Sequence, residues 1–132
     1  MNTKLIMSTS AIFLAILGTS LIFLPEEIAK LLGLALPGLG IILLQLLGGL
    51  YFGFAMLNWM AKGSIIGGIY NKPLLVANLA HFTIGGLSLI KAIMKNPDYP
   101  IYVWLLTIIY IIFLLCFGFI FNRHPVKESQ TK

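Results

Sequence analysis

The chain has 132 residues, 59% of them hydrophobic and only 10% charged, with a mean hydropathy of +0.99 and a net charge of +5. A water-soluble domain carries about 25% charge, and a chain this short has too little volume to hide so much apolar surface. These values exclude a soluble core, and the nine Lys and Arg residues sit at the ends of apolar runs instead of forming a patch, which argues against nucleic acid as a partner.

The charged residues divide the chain into four windows, 5–25, 31–61, 73–90 and 99–122, that hold no Asp, Glu, Lys or Arg. A bilayer core of about 30 Å takes about 20 apolar residues in helical form. The pattern predicts an all-α, single-domain integral membrane bundle of four transmembrane helices, with spans at about 4–24, 39–61, 73–94 and 100–122, and a polar cytoplasmic tail at 123–132. The first apolar stretch exceeds the usual length of a signal peptide and no A-x-A site follows it, so it is expected to stay uncleaved. Pro25 ends that helix by removing a backbone donor.

Pro25, Glu26 and Glu27 then make a favourable helix start, since acids suit the positive end of the helix dipole. Ile28, Leu31 and Leu32 share one face, and Gly33 and Pro37 are stop signals. A short amphipathic helix in the membrane interface is expected here. The stretch from Lys62 to Lys72, with Gly63, Gly67, Gly68 and Asn71, reads as a turn-like connection. Asn96, Pro97 and Asp98 form a tight turn, followed by Tyr99, Tyr102 and Trp104 at the entry interface of the last span.

Orientation follows from the basic residues. Lys4, Lys62, Lys72, Arg123, Lys127 and Lys132 fall on one side, against Lys30, Lys91 and Lys95 on the other. The richer side is expected to be cytoplasmic, which sets both termini on the cytoplasmic side of the membrane.

Polar side chains at membrane depth are expensive, so they tend to face a neighbouring helix and to mark something. In the second span Gly48, Tyr51, Ala55, Asn58 and Lys62 step by three and four residues, and in the third Asn78, His81, Gly85, Ser88 and Ala92 do the same. Such spacing puts each set on one face. One reading is a small polar pocket, about 6–12 Å below the cytoplasmic surface at 1.5 Å per residue, lined by Asn58, Asn78, His81 and Tyr51. The other is interhelical glue, in which these groups only bond one another. Gly49 and Gly53 complete a GxxxG, read with Gly48, Gly85 and Ser88 as helix-packing positions.

The chemistry that is missing narrows the field. Cys116 is the only cysteine, which excludes the paired thiols of a disulfide–quinone oxidoreductase. A haem held between helices needs two imidazoles, and His124 lies in the tail, away from His81. The spans hold none of the carboxylates used by small dimeric proton-coupled exporters or by emopamil-binding-type sterol isomerases. No clustered metal ligands, nucleotide-binding loop, cofactor motif or catalytic set is present.

The end of the first span from Gly18 to Pro25, the interfacial Pro25-Glu26-Glu27 segment through Leu32-Gly33, the run from Leu46 to Phe54, and Asn78-Leu79-Ala80-His81-Phe82 together resemble the DoxX-like group of small bacterial four-helix membrane proteins. The resemblance implies the four-helix fold and no catalytic residue. Three functions remain open at this point. The first is a non-enzymatic accessory protein or binder of a lipid- or quinone-like molecule near His81, in contact with the bilayer and with a membrane partner. The second is a small transporter or channel assembled as a homo-oligomer. The third is an enzyme with His81 as its sole acid–base group, which lacks an orienting carboxylate.

Overall fold

The computed structural model describes residues 3–64 and 71–122. These form five helices and, among the described residues, no strand: α1 (Thr3–Phe23), α2 (Pro25–Leu31), α3 (Gly38–Ala61), α4 (Lys72–Lys95) and α5 (Ile101–Asn122). The four long ones have 21 to 24 residues and are apolar enough to cross a membrane. At 1.5 Å per residue each is about 32–36 Å long, which matches a hydrocarbon core of about 30 Å. The protein is therefore a multi-pass membrane protein. The expected spans agree with these helices to within one residue at every end. The expected tail at 123–132, with Arg123, Lys127 and Lys132, and the glycines at 67 and 68 lie outside the described residues.

The chain divides into two compact units, Met1–Gly63 and Ser64–Lys132. In the first, α1 and α3 pack antiparallel. Ser10 near the start of α1 meets Asn58 near the end of α3, and Ile22 near the end of α1 meets Gln45 near the start of α3. Midway, Gly18 and Gly48 bring the two backbones together. A Cβ added to Gly18 would come within 2.8 Å of the Gly48 carbonyl oxygen, and one added to Gly48 within 2.8 Å of the Gly18 carbonyl oxygen. Only glycine fits at such a crossing, and close backbone approach is what drives helix association where lipid is as apolar as leucine.

The short α2 caps this unit. Pro25 occupies its first turn with Glu26 and Glu27, and Lys30 sits in its last turn, each matching the helix dipole. Its end is a Schellman motif: the Leu34 N–H donates to the Ala29 carbonyl at 2.9 Å and the Gly33 N–H to the Lys30 carbonyl at 3.0 Å. Gly33 has φ of 67°, the left-handed conformation that such a cap requires and that side chains resist. Pro25 and Ala29 face inward, while Glu26, Glu27, Lys30 and Leu31 are exposed, as befits a helix lying at an interface.

In the second unit α4 and α5 are likewise antiparallel, since Leu79 lies near Gly118 while Gly85 lies against Tyr110. Fully buried Phe82 forms the centre. Its ring stacks on Phe113 at 4.9 Å and Phe117 at 5.6 Å, and meets Tyr110 edge-on at 5.3 Å. Such pairs add about 0.5–1.5 kcal/mol each beyond their buried area.

Candidate functional site

Most polar side chains in the spans are satisfied on their own helix. Thr9, Thr19, Thr83 and Thr107 each donate a hydroxyl to the carbonyl four residues earlier, and the Asn78 amide donates to the Leu74 carbonyl at 3.0 Å. This back-bonding removes the cost of a hydroxyl or amide in hydrocarbon without a partner helix. Among the described residues no buried side-chain nitrogen or oxygen lacks a hydrogen bond.

Besides the exposed Gln45 amide, which donates to the Ile22 carbonyl, a side-chain pair crosses between helices in each unit. In the first unit the buried Asn58 amide donates to Ser10 Oγ at 3.1 Å, and that hydroxyl in turn donates to the Met7 carbonyl at 3.0 Å. This relay links α3 to α1. Tyr51 also lies on α3 and is half-buried. Lys62, one turn beyond Asn58, places its Nζ 2.9 Å from the centre of the Trp59 ring in a cation–π contact. An apolar groove of about 290 Å³ opens beside the relay, floored by Ala11, Ala15 and Ala55 and walled by Met56 and Trp59.

In the second unit His81 on α4 meets Tyr110 on α5, with the phenol oxygen 3.3 Å from Nε2. Which group donates depends on the imidazole tautomer. The rings lie 5.6 Å apart and are tilted by 45°. Gly85, one turn after His81, explains the contact. A Cβ there would run into the Tyr110 ring, so the missing side chain is what lets the phenol lie against α4 and reach His81. His81 is half-buried, Asn78 and Tyr110 are buried, and Ser88 is exposed.

Of the expected site residues, Asn58 and Tyr51 thus belong to the first unit, and Asn78 and His81 to the second. Of the expected packing positions, Gly48 and Gly85 sit at close approaches. Gly49 and Gly53 instead face outward with nothing within 4 Å of an added Cβ, and Ser88 is on the surface, because the crossing with α1 falls on the Gly48 face of α3. Ser10 and Gly18 were not singled out from sequence. The signal for both is antiparallel register: once Gly18 faces Gly48, counting outward in opposite directions brings Ser10 to within two residues of Asn58, close enough for the amide to reach it.

His81 is the only imidazole in the described spans, and no cluster of three or more His, Cys, Asp or Glu side chains occurs among the described residues. Comparisons with protein-family models, with curated proteins and with solved structures find no match to this chain.

Proposed function

We propose that this chain is a non-enzymatic accessory protein of the bacterial cytoplasmic membrane that binds a lipid- or quinone-like molecule at the His81–Tyr110 pair. The observation that carries the reading is the pair itself: a half-buried imidazole and a buried phenol 3.3 Å apart at membrane depth, beside the Phe82, Phe113 and Phe117 rings. A quinone or ester carbonyl needs a hydrogen-bond donor beside aromatic rings, and a neutral imidazole–phenol pair carries two donor protons, of which its own hydrogen bond uses one. A catalytic role is less well supported, since a histidine without an orienting carboxylate is a weak general base and the spans contain no Asp or Glu.

The same reading sets both termini in the cytoplasm. Antiparallel pairing supports it by bringing Lys4 and Lys62 to one end of the first unit, with Glu26, Glu27 and Lys30 at the other. The short-motif likeness to the DoxX-like group supports a bacterial setting and assigns no residue a role.

The test is extraction of the chain, purified in mild detergent, followed by mass spectrometry of the released lipids and quinones. His81→Phe is expected to lower the retained ligand by about threefold to tenfold, the worth of one hydrogen bond. A chain that purifies empty, or a His81→Phe variant that loses stability while retaining its ligand, contradicts the reading.

One observation favours a homo-oligomeric transporter or channel instead: the outward Gly49–Gly53 edge of α3 leaves room for a second helix. Four spans are few for a monomeric pore, so that reading requires symmetric assembly. A strictly monomeric state in native detergent extracts rules it out.

A further inference from the structure

We propose that the α4–α5 end of the second unit is a binding site for the headgroup of an anionic phospholipid. A cavity of about 520 Å³ opens there, lined by Ser88, Lys91, Ala92, Lys95, Asn96 and Tyr99. Lys91 and Lys95 are one turn apart on α4, so both ammonium groups reach the same space. Asn96 and Tyr99 close it from the turn. No carboxylate lines it. Asp98, the nearest acid in sequence, stands outside the lining, with its backbone N–H bonded to Asn96 Oδ1 at 3.2 Å.

The order of groups along the helix selects a lipid over a free anion. Lys95 is the last residue of α4, and Ser88 lies about 10 Å deeper at 1.5 Å per residue. Beyond Ser88 the surface continues as exposed Ile84 and Leu87. Charge outermost, then a hydroxyl, then carbon is the sequence of phosphate, glycerol ester and acyl chain in a phospholipid. The cavity is within the range of small-molecule sites, and each lysine near a charged membrane surface adds about fivefold in affinity.

Native mass spectrometry of the full-length chain, titrated with phosphatidylglycerol or phosphatidylcholine, tests this directly. Preferential retention of phosphatidylglycerol is expected. The double variant Lys91→Gln/Lys95→Gln should weaken that binding by about twentyfold to thirtyfold, from two lysines at about fivefold each. Lys91→Arg/Lys95→Arg should restore it, and the glutamine variant should keep whatever ligand is retained at His81, so that the site stands or falls apart from the His81 reading. Equal binding of the two lipids by the unsubstituted chain overturns the proposal even where the glutamine variant fails to fold. Unchanged binding in a folded glutamine variant overturns it too. Displacement of phosphatidylglycerol by millimolar inorganic phosphate marks a free-anion site and also contradicts it.

Discussion

A hydroxyl or amide in hydrocarbon has no water to turn to, and the polar side chains here meet that constraint in two ways. Thr83 and Thr107 return to their own backbone, whereas Asn58 and His81 reach across to a second helix. Only the second kind ties helices together. Ser10→Ala and Asn58→Leu should therefore show a coupling of about 0.6–1.7 kcal/mol in a double-mutant cycle of unfolding in mixed micelles. Gly85→Ala is expected to displace the Tyr110 ring. Retained ligand should then fall about as far as in His81→Phe, by threefold to tenfold, because the same hydrogen bond is lost; extraction and mass spectrometry read it. The polar stripes were visible in sequence as three-and-four spacing. Which residue each would meet was not, since periodicity fixes a face only with respect to its own helix axis.

At the scale of the element, the sequence was most informative where solvent preference alone decides. Windows free of charge, bounded by Pro25, Pro73 and the Asn96-Pro97-Asp98 turn, locate the four long helices closely, and Pro25 through Gly33 locates the interfacial one. Packing was less legible. The GxxxG at Gly49 and Gly53 is a stronger sequence pattern than the isolated Gly18 and Gly48, yet the latter two make the α1–α3 crossing. Glycine is frequent in membrane helices, and only the three-dimensional register separates those that permit contact from those that face lipid. Gly18→Leu should accordingly destabilise the protein by about 1–3 kcal/mol, as overpacking against rigid backbone does. Gly49→Leu should stay within about 0.5 kcal/mol. Denaturant unfolding in micelles, with helicity as the readout, compares the two.

On the scale of the whole molecule, each unit is an antiparallel pair of long helices, so each pair returns the chain to the end from which it entered. Glu26 and Glu27 end up at one end of the first unit and Lys62 with Trp59 at the other, and the orientation proposed above puts the Lys62 end inside. Thiol labelling of single-cysteine variants in intact cells tests that architecture most directly. In a Cys116→Ala background, cysteines replacing Glu27 and Asp98 should react with a membrane-impermeant maleimide, and those replacing Lys4, Ser64 and Ser129 only after permeabilisation. Labelling of position 64 together with 27 in intact cells would contradict the four alternating spans, and the full pattern reversed would contradict the orientation.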